Sequence, residues 1–120
     1  MTTETKQASP RVMPFEKLAF SPRFDYGDQA TVAPAVDSDD GTSLGSGFVR
    51  LTNASIPWTV QYDEVLLVID GCVTVHTNNH TLTARKNDTI WLPKGTELRY
   101  EAESALIFYA IEPNDWSELS

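Results

Sequence analysis

Few residues in this 120-residue chain have the means to do chemistry, and one of them stands apart. Glu64 immediately precedes five consecutive apolar residues, Val65 to Ile69, and the run closes at Asp70-Gly71. An apolar β-rich run bounded by turn residues is the pattern of a buried strand. A carboxylate at the mouth of such a strand either meets a structural partner or enters a pocket. With regular alternation, Trp58, Val60, Tyr62, Glu64, Leu66 and Val68 share one face, and Leu98 and Tyr100 share another. A hollow lined this way is apolar and aromatic, with one carboxyl group and one or two phenols, and suits a small organic ligand. Burial there raises a carboxyl pKa because desolvation disfavours the anion, which poises Glu64 as a general acid or base near neutrality. Tyr62 is the companion catalytic candidate. Arg50, Trp58, Val60, Leu66, Leu98 and Tyr100 are the candidate ligand contacts.

Each of these residues also has a structural role open to it. Glu64 could pair with Arg50 or hydrogen-bond Tyr62, stitching neighbouring strands. Tyr62 and Tyr100 could be core aromatics with a hydrated hydroxyl. Trp58 and Trp91 suit packing, and Arg50 suits either a strand-face ion pair or an anion clamp. The adjacent acids Asp63 and Glu64 cannot work as a pair, because neighbours on a strand point to opposite faces. His76 and His80 flank the turn Asn78-Asn79, where without a third donor they read as polar surface.

The elements that must position these groups are strands. Gly47–Thr52, Tyr62–Ile69, Cys72–Thr77, Thr81–Ala84, Thr89–Leu92, Leu98–Glu101 and Ala105–Ile111 all have strand character. Asn78-Asn79 reads as a tight hairpin using positive φ, and Leu92-Pro93-Lys94-Gly95 as a turn with proline second. Asp37 to Gly41 is a turn by composition and lacks the ligand spacing of a calcium loop. Residues 1–10 are polar and aperiodic and are expected to be a disordered tail ahead of a single domain over 11–120. Val12 to Phe20, interrupted by Pro14, suits an extended arm laying Phe15, Leu18 and Phe20 on a sheet. Asn114 to Glu118 could make one helical turn. Short strands with turns between them indicate a sandwich or barrel, so the fold class is all-β.

Composition narrows the partners. A net charge of −8 leaves no basic stripe for nucleic acid or anionic membrane. No apolar run approaches the roughly 20 residues of a membrane span, and no signal peptide is visible, so a cytoplasmic protein is expected. The single cysteine, Cys72, excludes an internal disulfide and suits a small buried thiol.

Two fragments together resemble the cupin superfamily. Its first motif ends in a glutamate, six residues and a glycine, matched here by Glu64 and Gly71. Its second runs glycine, five residues, proline, one residue, glycine, two residues, histidine. Pro93 and Gly95 match, and Asn87 replaces the first glycine, a substitution asparagine tolerates because it accepts the same turn geometry. The resemblance implies a small jelly-roll (RmlC-like) β-barrel with an extended N-terminal arm. It also implies that the histidine ligands would fall at Trp58, Val60 and Leu98, none of which can donate to a metal. Glu64 alone remains, so no metal and no cofactor are expected.

Within cupins, Pro57-Trp58-Thr59, Tyr62-Asp63-Glu64, Trp91 to Gly95 and Pro113 to Trp116 resemble the EutQ-like group of ethanolamine-utilisation cupins. Acetate kinase activity is attributed to some of these; the chain carries no glycine-rich phosphate loop with lysine and serine or threonine. The expected function is a metal-free cupin that binds, or binds and transforms, a small organic molecule of ethanolamine or related amine catabolism. The alternatives are a non-catalytic dimeric scaffold or regulatory cupin, and a divergent metal-dependent enzyme. Exposed strand edges and the apolar arm point to a homodimer.

Overall fold

The computed structural model describes residues 9–116. Among the described residues seven antiparallel strands form the fold: β1 (Ser21–Pro22), β2 (Ala30–Val36), β3 (Gly45–Thr59), β4 (Asp63–His76), β5 (Thr81–Arg85), β6 (Thr89–Leu92) and β7 (Glu97–Glu112). The order across the sheet is β1-β2-β3-β7-β4-β5, with β6 also paired to β4. One side of β4 is therefore held by β7 along its length, while the other meets β6 in its first half and β5 in its second.

The three long strands are longer than the sequence pattern suggests, because each crosses a point where its alternation reverses. In β4 the buried side chains are Glu64, Leu66 and Val68, then Val73 and Val75. In β3 they are Leu51, then Ala54 and Ile56; in β7, Leu98 and Ala102, then Ala105 and Ile107. Even and odd positions exchange faces across one belt, where Leu51 and Gly71 both lie opposite Ala105. An extra residue in a strand keeps the next apolar set facing inward while the strand bends and twists more strongly. Asn53 (φ 44°) and Gly71 (φ 80°) supply the left-handed backbone at this belt. A Cβ on Gly71 would collide with the Ser104 carbonyl oxygen, so only glycine fits. The strands expected at 62–69 and 72–77 are thus one strand with a bulge, as are those at 98–101 and 105–111.

β2 is not among the expected strands, since Ala30 to Val36 contains Pro34 and three alanines. It pairs with β3, and its register shifts between Pro34 and Val36, where the missing proline N–H interrupts the ladder. The N-terminal arm packs as expected. Phe15 meets Phe20 and Phe48 edge-on, and Phe48 meets Phe108, on the outer face of β3 and β7.

Two turns differ from expectation in detail. The β4–β5 hairpin falls at Asn78-Asn79, yet neither residue has positive φ. The Thr77 hydroxyl instead accepts from His80 N at 3.0 Å, and Thr77 N donates to His80 O. In the β6–β7 turn Pro93 is first, not second: its carbonyl accepts from Thr96 N, and Gly95 takes the positive φ of 93°. Asn87 does adopt the glycine-like conformation, φ 75°. Of the C-terminal turn, Ser117 and Glu118 lie outside the described residues.

Candidate functional site

Glu64 is the second residue of β4, paired across to Leu92 of β6 and Ile111 of β7. Its position between two strands turns the side chain inward, and only 6% of its surface is exposed. It borders a cavity of about 390 Å³ whose walls include Arg23, Tyr62, Leu66, Tyr100, Tyr109 and Trp116. Val49, Leu51 and Ile107 make the apolar wall from β3 and β7. Its neighbour Asp63 faces the other way and caps the β6–β7 turn, accepting from Lys94 N at 2.9 Å.

The partner of Glu64 is neither Arg50 nor Tyr62. The Tyr100 hydroxyl donates to Glu64 Oε1 at 3.1 Å. Burial pushes the Glu64 carboxyl up to about 7, against the opposing pull of the Tyr100 hydrogen bond and the Arg23 charge. The same burial, reinforced by the nearby carboxylate, pushes Tyr62 and Tyr109 up to about 12 and Tyr100 well above its ordinary range. All three phenols are therefore neutral hydroxyls at physiological pH, able to donate as well as accept.

Four of the sequence-predicted residues, Tyr62, Glu64, Leu66 and Tyr100, come together on the cavity wall. Val60 and Leu98 lie in the core, 1% and 7% exposed. Trp58 packs edge-on against Trp116 at 5.6 Å, beneath the Arg23 guanidinium at 4.6 Å from its ring, so it backs the site rather than bordering the hollow. Arg50 lies on the opposite face of β3 from Val49 and Leu51. Its guanidinium sits over the rings of Phe20 (4.9 Å) and Phe15 (5.6 Å), clamping the arm by cation–π contact. The strand period of two makes that placement unavoidable once Val49 and Leu51 face inward.

Among the wall residues that the sequence reading does not reach are three with charged or aromatic side chains, Arg23, Tyr109 and Trp116. Tyr109 was findable, because Ala105, Ile107, Tyr109 and Ile111 alternate on one strand face. Arg23 was not: it precedes the short turn Phe24–Tyr26, and nothing local signals that its Nη2 reaches the Tyr62 hydroxyl at 3.5 Å. Trp116 closes on Tyr62 edge-on at 5.2 Å from beyond the last strand. His76, on the outer surface, bonds Glu101 at 2.7 Å between Nε2 and Oε1.

Strand order, the inward glutamate and the Asn87 to Gly95 turn define a cupin-type jelly-roll barrel. An RmlC-like cupin from Shewanella frigidimarina superposes with a TM-score of 0.71 over 89% of this chain and 94% of that one, at 12% identity. The model of the family described as ethanolamine utilisation protein EutQ matches residues 8–118, and the chain belongs to that family. It is similar to the acetate kinase EutQ of Escherichia coli K12, 34% identical over 100 residues, covering 81% of this chain and 43% of that protein. The acetate kinase EutQ of Salmonella typhimurium LT2 is 29% identical over 121 residues, covering 98% of this chain and 52% of that protein. This chain therefore spans about half the length of those two relatives. A crystal structure of an ethanolamine utilization protein Q from Salmonella typhimurium LT2 matches with a TM-score of 0.83 and 26% identity, over 94% of both chains.

The cupin fold implies a metal held by three histidines and a glutamate. Trp58, Val60 and Leu98 occupy the histidine places, and a carboxyl alone is one donor where several must converge. Among the described residues no group of three or more histidine, cysteine, aspartate or glutamate side chains is arranged to hold an ion. The donor set does not fit the cupin metal. Among the described residues, too, no helix is long and apolar enough to cross a membrane.

Proposed function

We propose that this EutQ-family chain binds a small organic molecule of amine catabolism in the cavity beside Glu64 and exchanges a proton with it. The observation that carries the proposal is a nearly inaccessible carboxyl, held by Tyr100, on the wall of an apolar hollow of about 390 Å³. Such volumes are those of ligand sites. With its pKa near 7, Glu64 divides between acid and base at neutral pH, which suits general acid–base work. Tyr62, a neutral phenol beside Arg23, supplies a hydrogen bond to the ligand. Glu64 and Tyr62 are then the catalytic pair, and Leu66 and Tyr100 shape the ligand's seat. The chemistry uses the protein's own groups, with no cofactor, in the cytoplasm.

Ethanolamine, from the family's description, and acetate, from the relatives' names, are the first compounds to test, by ligand-observed NMR and by turnover with ATP. The Glu64→Gln variant should lose binding or turnover while remaining folded. Binding unchanged in the variant would refute the proposal.

A second reading, a homodimeric scaffold, draws on the outer face of β4 and β6. Val65 and Trp91 are cross-strand neighbours, 43% and 58% exposed. A second copy of the chain is the occupant proposed for this face. Light scattering at micromolar concentration should give a dimer mass, reduced to monomer by Trp91→Glu; a monomer mass for the unaltered chain overturns it.

A further inference from the structure

The size and polarity of the cavity say more about its ligand than the family's description does, granted that the site binds a small molecule at all. Liquid water takes roughly 30 Å³ per molecule. By that measure the cavity of about 390 Å³ has room for roughly a dozen non-hydrogen atoms. A two-carbon amine or acid would leave most of it empty.

The polar groups are concentrated on part of the lining, and they carry both signs. Arg23 and Glu64 both border the hollow and feel each other's charge, so a singly charged head attracted by one is repelled by the other. Desolvating a charged head adds to either penalty. A neutral oxygen head meets no such conflict. The Tyr62 oxygen accepts from Arg23 Nη2 and keeps its own proton to donate. The Tyr100 hydroxyl donates to Glu64 and keeps lone pairs to accept. Donor and acceptor thus stand on the same wall, matching a hydroxyl that does both. Val32, Val49, Leu51, Ile56, Leu66 and Ile107 offer aliphatic lining to a hydrocarbon body.

We infer that the cavity takes a neutral amphiphile of roughly a dozen non-hydrogen atoms, its hydroxyl or carbonyl oxygen at Glu64, Tyr62 and Tyr100 and its apolar body along β3 and β7. Ethanolamine and acetate are too small and wrongly charged to be the preferred occupants.

Straight-chain primary alcohols from butanol to decanol test this directly, with binding read from tryptophan fluorescence, since Trp116 lines the cavity. The dissociation constant should fall about fourfold for each added methylene, the ratio expected for burying one such group, until the chain fills the hollow. Val49→Phe, which fills part of the wall, should shorten the chain length at which the gain stops; a circular dichroism spectrum like that of the unaltered protein establishes that the variant is folded. Ile107→Phe provides the same test from β7. Dissociation constants independent of chain length, or a cut-off unmoved in folded variants of both positions, would overturn the inference. Preference for ethanolamine or acetate over octanol would overturn it too, while leaving the proposed binding function standing. Absence of binding by every alcohol, by ethanolamine and by acetate would sink both.

Discussion

Replacing Glu64 by glutamine should make the protein more stable than its parent at alkaline pH and not at acidic pH. The carboxyl has an ordinary pKa of 4.5 and is raised to about 7 in the fold, chiefly by desolvation. Below 4.5 both folded and unfolded chains hold the proton, and the shift has no effect on stability. Between 4.5 and 7 the unfolded chain releases its proton while the folded chain keeps it, so folding weakens as pH rises. Above 7 the loss is complete. At about 1.4 kcal/mol per pKa unit the full loss is roughly 3 kcal/mol, most of which falls between pH 5 and pH 8. Glutamine keeps the acceptor for Tyr100 and carries no charge, so its stability should not follow that trend. For a chain of this size a loss of that order corresponds to about 10 °C in Tm. Thermal melts of both proteins at pH 5, 6, 7 and 8 measure the difference. It should swing toward the variant by about that amount as pH rises. A difference that stays flat from pH 5 to 8 would show that the Glu64 carboxyl is hydrated like any surface acid and does not face a desolvated site.

Other perturbations probe the same geometry. Tyr100→Phe removes the donor to Glu64, and loss of one hydrogen bond to a charged acceptor, about 1.5 kcal/mol, should raise the Glu64 pKa by roughly one unit further; carbon-13 NMR of the side-chain carboxyl reads it, and an unmoved titration contradicts the assigned bond. Gly71→Ala should destabilise by roughly 3 kcal/mol in urea melts, combining left-handed strain with the collision at Ser104. Gly95→Ala, at φ 93° but with open space around it, should lose only about 1 kcal/mol; equal losses would count against the belt of close strand approach.

The strand breaks in the sequence carry more information than the ends of strands. Alternation over Glu64, Leu66 and Val68 and again over Val73 and Val75 is plain, but the two sets are out of phase, so they read as separate strands. In the fold the phase change is the bulge at Gly71. The same holds in β7, where Ala102 and Ala105 are both buried. A pattern with a period of two cannot tell a strand end from a bulge, because both interrupt alternation at a residue of permissive backbone. The N-terminal arm was legible from its aromatics; β2 was not, because Pro34 and small side chains mask its pattern.

The site divides along the same line. Tyr62, Glu64 and Leu66 follow from one local alternation, and Tyr100 follows from another once β7 is placed beside β4. Their bond, from a hydroxyl on β7 to a carboxyl on β4, is a consequence of register, which local sequence does not state. Arg23 and Trp116 lie further out of reach, since each enters from a segment without regular structure. Yet these two give the cavity its particular character. Arg23 adds the positive charge that opposes the burial-driven rise of the Glu64 pKa, and Trp116 adds an aromatic wall packed on Tyr62 and Trp58. The barrel supplies the acid and the hollow, while the irregular segments before β2 and after β7 set the charge and shape that decide what can enter it.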